Sequence, residues 1–304
     1  MAMKTIWQIT WEAVRNWIAD GSFQLAAALS FFALISLAPL VTVSLTVASL
    51  FYGRQAVQGE LVGQITHYVG QAGAEVVQTV LASASRSNSG IAGLLGVVMM
   101  VIGGSAVFLQ LQIALNAVWN VTPRTDLPWT YTIKVRLFSM ALVLGVGLLL
   151  LISTIASTGL AAITESAKHF APLAATLWQL ANFAAGLLLE TVVFAAVFKV
   201  LPDAIIRWRE AWIGAGITAV LFEVGRFGIG IYLGQAAPGS AYGAAASLIA
   251  LLLWLNYSTL IVLLGAEFAQ VIARRSGRRI EPSAHAIRTD KADPSPSERR
   301  PTKV

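Results

Sequence analysis

The sequence predicts an all-α, polytopic membrane protein with six transmembrane helices. Three observations carry this. Hydrophobic residues make up 57% of the 304 residues and charged residues only 12%, with a mean hydropathy of +0.72; soluble domains carry roughly 25% charge. Apolar stretches of the roughly 20 residues that a helix needs to cross a bilayer fill most of positions 25–273. Runs such as LVLGVGLLLLIST (142–154) lack the alternation of a membrane β-strand, so the backbone must satisfy itself as helix.

The elements follow in order. Residues 1–24 are expected to form a cytoplasmic amphipathic helix, because TIWQITWEAVRNWIA (5–19) repeats Trp7, Trp11, Val14 and Ile18 at helical spacing. Trp7, Trp11 and Trp17 suit a helix lying in the inner interface, and packing against the bundle is the alternative. The first 22 residues hold no apolar h-region, so no cleaved signal peptide is expected. Span 1 covers about 25–51 and contains SLAPL, where Pro39 frees a carbonyl one turn back. Ser30 and Ser36 are placed to satisfy it, so a kink or hinge is expected. In 52–90, Leu61, Ile65 and Tyr68, then Val76, Val77 and Val80, predict two short extracytoplasmic helices between spans 1 and 2, serving as a lid or a structural cap. Spans 2 to 6 follow at about 91–115, 137–160, 177–201, 211–234 and 244–273, completing a six-span transmembrane domain over 25–273. Residues 274–304, with Pro282, Pro294, Pro296 and Pro301 among basic and small residues, read as a disordered basic cytoplasmic tail, suited to anionic headgroups.

Charge sets the orientation. With the N-terminus inside, the cytoplasmic segments before the tail hold Lys4, Arg15, Arg124, Lys134, Arg136, Lys199, Arg207 and Arg209. The external segments hold Arg54, Arg86 and Lys168. Nine further Lys and Arg lie in 274–304, so the positive-inside rule places both termini in the cytoplasm. The net charge of +6 and pI of about 9.8 follow from this bias and do not call for a specific nucleic-acid partner.

Polar residues inside the spans are the candidate site, because an ionisable group at membrane depth costs several kcal/mol unless paired or wetted. Glu190 and Glu223 each lie about 12 residues into their spans, and Arg226 follows Glu223 by one turn. At 100° per residue, Gly216, Ala219, Glu223, Arg226, Gly230 and Gly234 form one stripe, and Gly230–Gly234 is a small-residue pair that lets helices approach. Gln179 shares a face with Glu190, Gln112 with Asn116, and Asn256 with Glu267. These eight polar residues read either as packing pairs or as a polar pathway for a headgroup, ion or proton. No cysteine is present, which excludes disulfides, thiol chemistry and cysteine zinc sites. No catalytic residue, metal or cofactor is expected.

Several blocks, in order, resemble the YihY / virulence factor BrkB family, which carries an older ribonuclease BN-like label. They are ALSFFALISLAPL (28–40), GLLGVVMMVIGGSAVFLQLQIALNAVWNV (93–121), LP (201–202), AWIGAGI (211–217) and YGAAASLIALLLWLNYSTLIVLLGAEF (242–268). The resemblance covers roughly 10–275 and implies a six-helix bacterial inner-membrane protein with both termini cytoplasmic. It also implies a link to export of lipid or lipopolysaccharide precursors. Glu223 and Arg226 are not part of the match and rest on physics alone.

The expected function is therefore that of a transporter or flippase-like handler of a lipid or other amphiphile in envelope biogenesis. Its partners would be membrane lipids, envelope-assembly proteins or further copies of the chain. No GxxxxGK[ST] motif is present, so the chain is not expected to hydrolyse ATP itself. A membrane scaffold for envelope assembly is the alternative. A ribonuclease acting on tRNA is the third reading, disfavoured because His67, His169 and His285 lie outside the spans and form no metal-binding cluster in sequence. The basic tail also has no aromatic residue for base stacking.

Overall fold

In a computed structural model of the chain, the described residues are 2–49, 62–63, 74–75, 78–79, 106–124, 172–235, 246–277 and 280–289. They are mostly helical. The helices are α1 (Ala2–Ala19), α2 (Ser22–Ser49), α3 (Ala106–Val118), α4 (Pro172–Val200), α5 (Trp208–Gln235) and α6 (Ala246–Arg275). Two short strands, β1 (Val121–Pro123) and β2 (Ala286–Arg288), complete the list. Among the described residues, Leu180–Val200 of α4 and Leu248–Arg275 of α6 are long and apolar enough to cross a membrane. A third span results if Ile6–Ala19 and Ser22–Leu37, which meet at 63°, are taken as one bent element. The expected span at 137–160 and the start of the one at 91–115 lie outside the described residues. So does most of 52–90, where 62–63, 74–75 and 78–79 are helical.

Local chemistry explains the breaks. Gly21 adopts φ +68° and ends α1, with its N–H donating to the Ile18 carbonyl, and its own carbonyl accepts the first bond of α2 from Leu25 at 3.1 Å. A side chain at that φ would be strained, so glycine belongs there. Asn120 stops α3 with φ +52°, the left-handed conformation that Asn tolerates. At the start of α5, the Glu210 carboxylate accepts from the Arg207 N–H at 3.2 Å, which is half of a capping box.

The helices pack in the order α4–α5–α6, with α1 and α2 also lying on α6. The α5–α6 crossing is close: a Cβ at Gly214 would stand 2.6 Å from the Gly265 carbonyl oxygen, and one at Gly265 would overlap Thr218. Further along, a Cβ at Gly225 would overlap the Tyr257 ring, which lies against α5 and donates to the Leu221 carbonyl at 3.3 Å. Small residues at such contacts let backbones approach where lipid supplies no hydrophobic driving force. Phe194, Phe222, Trp254 and Tyr257 then link α4, α5 and α6 by successive ring contacts of 5.8, 5.2 and 6.3 Å between centroids.

The buried core gathers at one end of the bundle, where α3, α4 and α6 finish and α5 begins. Leu115, Val118, Trp119, Phe198, Ile206 and Leu263 pack there among Ala195, Ala211, Ala215, Ala266 and Ala269. This end is closed by the strand pair, which runs antiparallel with Val121 opposite Arg288, Thr122 opposite Ile287 and Pro123 opposite Ala286. Asn120 accepts from Thr289 N–H and Arg124 N–H donates to His285, both at 2.9 Å, and the Thr122 and Thr289 hydroxyls bond to each other.

The strand pair corrects the expectation of disorder through 274–304. Helix α6 runs on to Arg275, and residues 280–289 are ordered against 120–124 and 203–205. Backbone pairing holds this segment, with Ala286 and Ile280 as its apolar contribution to the core. Composition is blind to that kind of anchoring, because the bonds come from main-chain groups that every residue has.

Candidate functional site

Among the described residues, three separate polar clusters form where the sequence suggested one set of inward-facing residues. The first joins α4 and α5. Glu223 and Arg226 form an ion pair at 2.5 Å within one turn of α5, their side chains 16% and 24% exposed. Glu190 of α4 faces both, close enough to Glu223 for the two carboxyl groups to interact directly. Its Oε2 is buried and accepts no hydrogen bond. Helical geometry puts Glu190 about 15 Å of helix from Val200. The arrangement therefore brings two acids to one guanidinium inside an apolar wall, with Val224 and Phe227 exposed on either side of Arg226. Among the described residues, this cluster holds two acids to one guanidinium.

The second cluster lies at the packed end. Asn116 and the 201–207 connection bond reciprocally: Asn116 Nδ2 donates to Asp203 Oδ2 and the Asp203 N–H donates to Asn116 Oδ1, each at 2.8 Å. Gln112 Nε2 donates to the same carboxylate oxygen at 3.1 Å. The Asp203 carbonyl accepts from the Ser283 N–H at 2.8 Å, and Ile205 N–H donates to Glu281 at 2.9 Å. Lys199 Nζ donates to the Ile206 carbonyl, closing the connection on α4. Gln112 and Asn116 thus belong to a tie between α3, the α4–α5 connection and the C-terminal strand, apart from Glu190, Glu223 and Arg226.

The third cluster surrounds Glu267 of α6, which is 0% exposed. Asp20 and Asn16, from the α1–α2 elbow, face its carboxyl group. Neither carboxylate oxygen accepts a well-formed hydrogen bond. Nearby, Gln270 Nε2 donates to the Val118 carbonyl at 2.8 Å and Trp17 Nε1 donates to the Leu260 carbonyl at 3.1 Å. At the outer edge, Glu12 accepts from Arg275 at 2.8 Å and lies 3.7 Å from Arg274. Asn256 is part-buried eleven residues before Glu267 on α6. Gln179, Pro39, Gly230 and Gly234 lie on helical backbone, and their surroundings fall outside the described side chains.

Asp203, Asp20 and Asn16 are among the polar residues that sequence reasoning passed over, with Glu12 and Gln270. Asp203 had a readable signal, as the acid in a connection otherwise carrying Lys199, Arg207 and Arg209. Asp20 and Asn16 had none, because they lie before the first apolar span, and only the 63° elbow brings them to α6.

A family model described as virulence factor BrkB matches residues 13–289. A UPF0761 membrane protein of Ralstonia nicotianae is 29% identical over 264 residues, covering 86% of this chain and 57% of that protein. One from Pseudoalteromonas atlantica is 27% identical over 289 residues, covering 90% and 92%. One from Legionella pneumophila is 26% identical over 279 residues, covering 90% and 65%. The chain spans less than two thirds of the length of most such relatives, including 57% of the Ralstonia protein. No solved structure matches. The matched region runs from within α1 through β2 and takes in the three clusters except for Glu12 at the edge of the third, so the chain belongs to the virulence factor BrkB family and is an integral membrane protein.

Proposed function

We propose that the chain is a multi-pass protein of the bacterial inner membrane, with six spans and both termini cytoplasmic, that moves the polar head of a lipid or similar amphiphile past the α4–α5 charge cluster. The observation that carries this reading is Glu190, Glu223 and Arg226. Three ionisable groups within an apolar helix pair are costly in lipid, and two of them keep partly exposed side chains. A closed packing pair would be better served by one acid and one base. The surplus acid offers a place for a headgroup that a scaffold does not need. The positive-inside count and the polar tie at the packed end support a cytoplasmic position for that end, because charged and hydrogen-bonded backbone there can meet water. The reading gives the chain no catalytic residue, metal or cofactor.

Reconstitution of the full chain in liposomes carrying labelled envelope lipids tests it. The expected result is transbilayer movement that Glu223→Gln and Arg226→Gln reduce by about tenfold, equivalent to roughly 1.4 kcal/mol in the barrier, while both variants stay folded. If no envelope lipid moves although partner proteins still co-purify, the bundle is a scaffold and the transport reading fails.

A further inference from the structure

We propose that α1 docks on the acidic surface of the chain's own bilayer, with Trp7, Trp11 and Ile18 in the interface and Arg15 on the phosphates of anionic lipid. One face of α1 is taken by α6. Ala13 is fully buried, Trp17 Nε1 donates to the Leu260 carbonyl at 3.1 Å, and Glu12 accepts from Arg275 at 2.8 Å. The other face is uncovered among the described residues: Trp7, Trp11 and Ile18 are 70%, 64% and 59% exposed. At 100° per residue these three fall within about 40° of one another, and Ala13 lies about 140° from their centre. Arg15, also exposed, flanks them.

The level of this face along the bundle points to lipid. Trp17 on Leu260 and Glu12 on Arg275 run α1 antiparallel beside the last turns of α6. The stretch of α6 that is long and apolar enough to cross a membrane ends at Arg275. Trp11 therefore stands where that stretch ends, and Ile18 lies about two turns deeper. Arg15 leans back toward the exit, because helical side chains tilt toward the N-terminus and a long basic side chain carries its head to the interface. Helix α5 marks the same level independently. Gly214 meets Gly265 and Ala269, and Gly225 meets Tyr257, so α5 also runs antiparallel to α6. Its exposed residues Ile213, Val220, Val224 and Phe227 form a stripe about 60° wide that ends in the exposed Arg209. Arg209 precedes Gly214 by little more than one turn, beside the last two turns of α6. Exposed apolar side chains thus give way to arginine at one depth on α1, α5 and α6, which is the depth that tryptophan rings favour. Charge at this end selects the lipid. Asp203, Glu210 and Glu267 are buried, Glu12 is engaged by Arg274 and Arg275, and Glu281 is exposed. Arg15, Arg207, Arg209, Arg274 and Arg275 are all exposed. Acids turned inward and bases turned outward favour an anionic headgroup over a zwitterionic one. The inference does not rest on the transport reading, because α1 is separate from the α4–α5 cluster.

The test uses the full chain in liposomes of phosphatidylethanolamine and phosphatidylglycerol, with a nitroxide on Trp11→Cys; the chain has no native cysteine. The label is expected to collide with oxygen more often than with a water-soluble nickel complex, as at an interfacial depth. A second measurement titrates the unlabelled chain in detergent with phosphatidylglycerol or phosphatidylcholine and follows the thermal midpoint, which a bound lipid raises. Phosphatidylglycerol should act at the lower concentration. Arg15→Gln should weaken its effect about fivefold and leave that of phosphatidylcholine unchanged. Trp7→Ala combined with Trp11→Ala should weaken both. All three side chains are exposed, so the lipid-free midpoints should stay near that of the wild type. A label that meets the nickel complex more often than oxygen puts the face in water and overturns the proposal. So does spin–spin broadening between labels on two chains, which would give the face to a second copy. Arg15→Gln that responds to phosphatidylglycerol as the wild type does, or that loses both lipids equally, overturns it as well. None of these readouts involves lipid movement, so failure here and failure of the transport reading are separable.

Discussion

At the residue scale, the two best-defined polar clusters respond to substitution in different ways. Asn116 satisfies both the Asp203 carboxylate and the Asp203 N–H. Asn116→Ala removes two bonds from a buried acid and should cost about 1–3 kcal/mol. Asn116→Asp should cost more, because it sets a like charge against Asp203, and Gln112→Ala should cost less, because it removes a single 3.1 Å bond. Thermal midpoints in one detergent rank the three. In the α4–α5 cluster, two acids share one guanidinium. Arg226→Gln leaves both acids without it and should destabilise the helix pair by about 1–3 kcal/mol. Glu190→Gln removes the surplus charge and should be neutral or slightly stabilising in the same measurement. A large loss of stability in Glu190→Gln would mean that Glu190 is a structural partner of Arg226 and not the surplus acid. Residue identity alone revealed Glu190, Glu223 and Arg226, because charge inside an apolar run stands out. It could not reveal that Gln112 and Asn116 serve Asp203, since helical phase gives the face of each helix but not which neighbour that face meets.

At the element scale, glycine sets how closely α5 and α6 cross. The Gly214 Cβ direction points at the Gly265 carbonyl, a backbone atom that cannot turn aside, and at Ala269 Cβ, 2.8 Å away. The Gly265 Cβ direction meets first the Thr218 hydroxyl, which donates to Gly214 at 2.9 Å. Gly214→Ala should therefore lower stability by at least the roughly 1–3 kcal/mol typical of overpacking. Gly265→Ala should be partly relieved by adding Thr218→Gly, whereas no side-chain change should relieve Gly214→Ala. Unchanged stability in Gly214→Ala would show that the crossing is loose. The helices themselves were legible in sequence: the apolar stretches at 25–51, 177–201, 211–234 and 244–273 fall on helices at Ser22–Ser49, Pro172–Val200, Trp208–Gln235 and Ala246–Arg275, of which α4 and α6 are, among the described residues, long and apolar enough by themselves to cross a membrane. The short strands were not legible. Three residues each, they have no periodicity to detect, and their stability comes from the partner segment rather than from their own side chains.

At the scale of the whole molecule, the described core is gathered at one end instead of being spread along the bundle. Hydrophobic driving force exists where water competes and is weak between helices in lipid. Large buried side chains such as Trp119, Phe198 and Leu263 therefore stabilise most wherever an end of the bundle meets water, and small residues suffice between helices in lipid. On the proposed orientation this end is cytoplasmic, and the segment 280–289 is its clasp. That segment pairs with β1, bridges Ala204 through Pro282 and bonds the Asp203 carbonyl through Ser283. It thereby joins the ends of α3 and α4 to the end of α6, three elements far apart in sequence. Ending the chain after Arg279 removes all of these contacts, whereas ending it after Thr289 keeps them. The shorter chain should melt at least several degrees lower than the longer one in the same detergent, since roughly 1 kcal/mol moves the midpoint by about 2–4 °C for a chain of this size class. In intact cells, a single cysteine introduced at Ile287, exposed in the structure, should resist a membrane-impermeant thiol reagent added outside and react after the membrane is opened. The chain has no native cysteine to confuse the reading. Reaction from outside would reverse the proposed orientation, and equal melting of the two truncated chains would show that the clasp contributes no stability.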